Sequence, residues 1–147
     1  MSRGPEGGRF APVIDVQFDR PGRHYDPGGP FNAAYRVGGV EPEVVRTVEA
    51  SVAWYTEGKG EEDLGVHVFE RIVDPDAVRA ALDRGILETR LPPSPLSYEG
   101  VIVKIRWCVR VRVFHAGGRD FVSEHVFEVG AVPPANPPEP VATEATP

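Results

Sequence analysis

Long apolar runs are missing from this 147-residue chain, and nothing in it approaches the roughly 18 consecutive apolar residues of a membrane-spanning helix. Met1 to Arg9 is polar and glycine-rich, without the apolar core of a signal peptide. A soluble, cytoplasmic protein is therefore expected, with no membrane span. Cysteine is almost absent: Cys108 stands alone, which excludes an intrachain disulfide and removes the case for a small secreted scaffold held by cross-links. Excess positive charge is lacking too. A formal net charge of −6 argues against non-specific nucleic-acid binding, which needs a positive field to displace counterions from phosphates.

The groupings that announce catalysis are equally scarce. His24, His67, His115 and His125 show no HxH or HExxH spacing, and Cys108 has no partner for a CxxC pair. Surface or interface positions are expected for the histidines. Cys108 lies in strand-like sequence among Arg106, Arg110 and Arg112, a setting that lowers a thiol pKa. Without a placed histidine base it reads as a small residue inside a sheet. Ser94 and Ser97 lack the strand–turn–helix setting of a hydrolase nucleophile. No catalytic residue, metal ligand or cofactor-binding residue is assigned, and no enzyme activity is expected.

What the chain does have is 16 glycines and 16 prolines alongside 41% apolar residues, the composition of a turn-rich all-β protein with an ordinary core. From 101 to 113, Val101, Val103, Ile105, Trp107, Val109, Val111 and Val113 alternate with Ile102, Lys104, Arg106, Cys108, Arg110 and Arg112. Side chains of a strand point alternately to opposite faces, so this is a long ribbon with one greasy and one basic side. Ile14 to Phe18, Phe31 to Val37, Val48 to Trp54 and Val66 to Val73 read as further strands. Pro21 to Pro30 reads as loop, and Gly38-Gly39 as a strand end. Asp74 as N-cap, Pro75 in the first turn and Gly85 beyond the end predict one short helix. Ile86 to Leu91 is a candidate short strand before the crossover Leu91-Pro92-Pro93-Ser94-Pro95.

The return strand, Phe121 to Val129, follows a turn at Gly117-Gly118. In an antiparallel pair the indices of facing residues have a constant sum. An even sum sets Trp107, Val109 and Val111 beside Phe127 and His125, with Arg110 and Arg112 beside Glu124 and its neighbours. An odd sum would place Glu124 and Glu128 on the greasy side, and burying an unpaired carboxylate costs far more than a cross-strand ion pair returns. The connection must then have an odd number of residues, which predicts a bulged turn of three or five.

Two features are candidates for recognition. The connection Thr56 to Gly65 carries Glu57, Lys59, Glu61, Glu62 and Asp63 among glycines, a flexible charged tip where partner contacts or a hard cation would fit. It lacks the alternating spacing of a calcium loop. The basic row Lys104, Arg106, Arg110 and Arg112 suits an acidic peptide or phosphate, unless the glutamates of the return strand neutralise it. Trp54, Tyr55 and Tyr98 would supply a stacking platform for carbohydrate if they shared a concave face. A small hydrolase or isomerase would need a histidine beside Cys108 or a carboxylate pair in a pocket.

Leu91-Pro92-Pro93-Ser94-Pro95-Leu96-Ser97-Tyr98-Glu99-Gly100, running into Ile105-Arg106-Trp107-Cys108-Val109, resembles the arrestin N-terminal domain and its relatives among retromer-associated adaptors. There a proline-rich crossover of this kind leads into an alternating strand. Tyr25-Asp26-Pro27-Gly28-Gly29-Pro30-Phe31 is similar to a tyrosine–proline–glycine turn of the same family. The resemblance implies an immunoglobulin-like, arrestin-type antiparallel β-sandwich that binds proteins and catalyses nothing. Arrestins carry two such sandwiches and this chain has room for one, so no receptor-binding or phosphate-sensing residue is carried over. The expectation is an all-β sandwich of seven or eight strands over residues 10–130, a flexible arm over 1–9 and a disordered Pro-rich tail over 131–147. Its expected role is an adaptor or scaffold for a protein partner, engaged through loops or a sheet edge, in a monomer or a homo- or hetero-oligomer. The alternative is a ligand-binding module for carbohydrate or a metal ion.

Overall fold

The computed structural model describes residues 8–60 and 62–130. In chain order the elements are β1 (Phe10–Phe18), β2 (His24–Tyr25), β3 (Pro30–Val40), β4 (Val45–Gly58), β5 (Leu64–Ile72), α1 (Pro75–Asp83), β6 (Gly85–Arg90), β7 (Tyr98–Glu99), β8 (Val103–His115) and β9 (Asp120–Val129). They form two facing sheets. The smaller has the order β1-β3-β6; the larger runs β2-β9-β8-β4-β5, with β7 added beside β8. All neighbours are antiparallel apart from the short β2–β9 pair.

Period-two patterning puts the core between the sheets. β3 buries Phe31, Ala33, Tyr35 and Val37; β4 buries Val48, Ala50 and Val52; β8 buries Trp107, Val109, Val111 and Val113. Each chain of alternate residues is thereby hidden under the opposite sheet, about 10 Å away in sandwiches of this kind. The indole Nε1–H of Trp107 donates to the carbonyl of Pro95 at 2.8 Å, so the proline-rich crossover satisfies the one polar atom of the largest core residue. Ser97 ties the same crossover to β9: its N–H donates to the Val129 carbonyl and its hydroxyl accepts from the Val129 N–H, both at 2.8 Å.

The β8–β9 register has the even sum. Trp107 faces Phe127, Val109 faces His125 and Arg110 faces Glu124. The turn is closed by the His115 N–H donating to the Arg119 carbonyl at 2.8 Å, leaving Ala116 to Gly118 as the odd-length connection. The helix begins as expected, with an Asp74 carboxylate oxygen accepting from the Ala77 N–H at 3.0 Å.

Several boundaries differ from the sequence reading. The ribbon starts at Val103, and Val101 and Ile102 are exposed outside it. β4 continues to Gly58 and β5 starts at Leu64, so Thr56, Glu57, Leu64 and Gly65 are strand and the tip shrinks to 59–63. Pairing along β8 holds β4 extended to its end, since Glu57 faces Lys104 and Gly58 faces Val103. Pro21 to Pro30 is not wholly loop. Tyr25 is buried on β2 with its ring against Phe31 and Phe127, a tertiary contact that no local turn signal shows. β3 does not end at Gly38-Gly39 but continues to Val40, because Gly39 (φ +75°) allows a bulge against the Ala11 backbone. Gly85 does not terminate the helix. It opens β6, packed so closely under the Tyr35 ring that a Cβ would collide with it.

The described elements include nine strands, two more than the lower expectation, because two-residue β2 and β7 join the larger sheet. Most of the N-terminal arm (1–7), Glu61 and the C-terminal segment (131–147) lie outside the described residues. No described helix is long and apolar enough to cross a membrane.

Candidate functional site

The outer face of the larger sheet carries the basic row, and β8 holds it at the centre with carboxylates on either side. Residues directly opposite one another share a face, so Glu57 and Tyr55 on β4, and Glu124 on β9, stand beside the cations of β8. Lys104 Nζ is 3.0 Å from Glu99 Oε2. Arg106 reaches Glu57 at 2.9 Å through Nε and Glu99 at 3.5 Å through a terminal nitrogen. Arg112 Nε is 2.6 Å from Asp120 Oδ2. Arg110 Nε lies 3.0 Å from Glu124 Oε2, a charge contact rather than a directed hydrogen bond, because its N–H finds no acceptor along its axis. Glu128, a further candidate for this pairing, instead lies 3.6 Å from His24 Nε2.

These pairs shift the groups in complementary directions. The hydrogen bond from Lys104, with Arg106 nearby, lowers the Glu99 carboxyl, and the hydrogen bond to Glu57 raises Arg106. Solvent screens such pairs and each contributes little stability, yet together they leave no cation of the row without a carboxylate.

Cys108 occupies the same face but is fully buried between neighbours. The sequence setting among arginines suggested a lowered thiol pKa. The structure reverses this: burial first, then the Glu124 charge, push the thiol up to about 12, against a smaller opposing effect of Arg110. The histidines are likewise not all at the surface. His115 is buried, its ring edge-on to Phe10 and its Nδ1 accepting from the Gly117 N–H at 2.8 Å. His67 Nε2 meets the Arg90 carbonyl at 2.8 Å, across the open side of the sandwich. His125 contacts Ser123, and burial followed by the charge of Arg23 lowers its pKa.

The tip differs from the basic row. Lys59, Glu62 and Asp63 are exposed and make no ion pair among the described residues. Backbone bonds hold the tip in place: the Lys59 N–H donates to the Ile102 carbonyl at 3.2 Å, and the Thr56 N–H to the Asp63 carbonyl at 3.0 Å. The first of these sets the backbone of Ile102 beside Lys59, and the side chains of Val101 and Ile102 are exposed. That apolar pair belonged to the ribbon in the sequence reading. It lies outside the ribbon because β8 begins two residues later.

Other expected groupings do not assemble. Tyr55 faces Arg106 on the outer side, Tyr98 faces Ile105 on the opposite side, and Trp54 packs on the core opposite Trp107, so the three aromatics form no common platform. Glu57 is engaged with Arg106, away from the other tip carboxylates, and no group of three His, Cys, Asp or Glu side chains is arranged to hold a metal among the described residues. Asp15 and Asp83 share a cleft of about 620 Å³ on the smaller sheet, but both are exposed and Arg36 and Arg84 line it with them.

No protein-family model matches the chain, and no curated protein is similar to it in sequence. A solved structure, that of the sporulation control protein Spo0M from Bacillus subtilis, superposes with a TM-score of 0.55 at 14% identity. The superposition covers 84% of this chain and 51% of that one, so the chain spans about half the length of its structural neighbour. The fold is an all-β, arrestin-like sandwich with one short helix.

Proposed function

We propose that this chain is a non-enzymatic adaptor, related to the single-sandwich unit of arrestin N-terminal domains and retromer-associated adaptors, acting as one unit over residues 10–130. Its partner is a protein, met at the end of the sandwich that carries Lys59, Glu62, Asp63, Val101 and Ile102. The observation that carries this reading is the contrast between two charged surfaces. Lys104, Arg106, Arg110 and Arg112 are each neutralised by a carboxylate of the chain itself, whereas Lys59, Glu62 and Asp63 make no ion pair among the described residues, and Lys59 is backbone-bonded to Ile102, which with Val101 is a large exposed aliphatic residue. An apolar centre within a polar rim is the usual anatomy of a protein interface. The neighbouring strand β5 pairs with β4 alone among the described residues, so its other edge offers backbone groups to an added strand.

Affinity capture with the full chain tests this. Glu62→Lys with Asp63→Lys, and separately Ile102→Asp, should abolish recovery of the wild-type partner while leaving the melting temperature within a degree or two. Undiminished recovery by both variants would rule out the tip as the recognition surface. Arg106→Glu should lower stability through repulsion from Glu57 and Glu99 and leave recovery by the folded fraction intact.

A further inference from the structure

The outer face of the larger sheet carries exposed apolar side chains that the adaptor reading does not use. Leu64, Val66 and Phe69 on β5 are 57%, 55% and 55% exposed. The register places all three on the outer side: Tyr55 faces Leu64, Ala53 faces Val66 and Ser51 faces Phe69. On the far side of the same face, Val122 and Val126 of β9 are also exposed. Between these ridges the outward residues of β4 and β8 include the small Ser51, which faces Arg110. The result is a hollow of about 150 Å³ lined by Val66, Phe69, Val122, Ser51, Glu49, Arg110 and Arg112. A cavity of roughly that volume accommodates a benzene ring, and the Phe69 ring stands on its rim.

We infer that this face is the interface of a two-fold symmetric dimer, in which Phe69 of each copy enters the hollow of the other. A surface with a knob beside a hole of matching size is self-complementary under a two-fold axis, where each contact is made twice. Charge allows it. Arg71, Lys104, Arg106, Arg110 and Arg112 are matched on the chain by Glu49, Glu57, Glu99, Asp120 and Glu124, so the face is near neutral although the chain carries −6. Two copies therefore meet there without the repulsion their net charge produces elsewhere, and without stranding an unpaired charge. Area is sufficient as well. Four strands by nine residues span roughly 20 by 30 Å, on the order of 600 Å² in projection per copy, at the lower end of stable interfaces. Face-to-face contact leaves the tip at 59–63 and Val101-Ile102 open, so the dimer presents two copies of the proposed recognition end.

Sedimentation equilibrium of the full chain over about 1 to 100 µM tests the inference. A monomer–dimer equilibrium is expected. Phe69→Glu and, separately, Val122→Glu should each raise the dissociation constant by on the order of thirtyfold, the size of an interface hot spot. Both positions are exposed, so at concentrations where the wild type is monomeric the melting temperature should be unchanged. Val13→Glu, on the exposed side of β1, should leave association intact. A wild-type chain monomeric throughout the range overturns the proposal. So does association that survives Val122→Glu while Phe69→Glu abolishes it, since that pattern belongs to edge-to-edge pairing of β5. These outcomes do not depend on partner capture, which separates failure here from failure of the adaptor reading.

Discussion

Trp107 shows how much one residue holds together. Its ring lies fully buried beside Phe127 and its N–H is spent on the Pro95 carbonyl, so it joins the core, β9 and the crossover at once. Trp107→Ala should cost about 3–5 kcal/mol by cavity formation, measured by urea denaturation. Trp107→Phe keeps most of the volume but leaves the Pro95 carbonyl unpartnered, and should cost about 1–3 kcal/mol. Gly85 acts in the opposite sense, through what it lacks. The Tyr35 ring covers it and is itself buried, so neither can move aside, and Gly85→Ala should destabilise by about 1–3 kcal/mol from overpacking.

The β8–β9 hairpin is where parity becomes energy. Its even register keeps Phe127 and Val129 in the core and Glu124 beside Arg110. Inserting one glycine after Gly117 should force either a strained bulge or a slip that turns Phe127 outward, and the unfolding transition should drop sharply or vanish. Inserting two glycines restores the parity and should cost little, since loop entropy grows slowly with length. A near-equal loss for both insertions would contradict the register account. At the start of α1, Asp74→Ala should remove the cap on Ala77 and cost about 1 kcal/mol, with Asp74→Ser recovering most of it.

For the whole molecule, pH acts through groups that burial holds neutral. Cys108 and Tyr35 are each pushed up to about 12, and Tyr25 and Tyr55 are also raised, in each case by burial first. In the unfolded chain a thiol ionises near about 8.5 and a tyrosine near about 10. The unfolded state therefore releases protons that the native state retains. The stabilisation is complete below about pH 8.5 and falls as pH rises toward 12, by up to about 1.4 kcal/mol per pH unit for each buried group. Burial lowers His125, so its contribution is present above about pH 6.5 and is lost on acidification. Stability should form a plateau between these limits, and Cys108→Ala should flatten the decline between pH 9 and 10. An unaltered slope in that variant would mean that the thiol is not held protonated by the fold.

Alternation alone was enough for the central strands β3, β4 and β8, because a half-buried sheet demands a period of two and these segments have no competing pattern. The β8–β9 parity and the Arg110–Glu124 pair were equally readable, since the cost of a buried carboxylate leaves one register. The capped helix followed from Asp74 and Pro75 in the same local way. Tertiary structure decided what depends on distant neighbours. Tyr25 became core through a parallel pairing with β9 that closes late in the chain, and the Cys108 thiol was raised because neighbouring strands exclude water from it more strongly than Arg110 stabilises its charge. Ile102 came beside Lys59, and Phe69 to the rim of a hollow shared with Val122, only when β4 and β8 had been laid side by side. Sequence patterning sets which side of a strand is dry; which residues meet on the wet side is a property of strand order and register, and those are long-range.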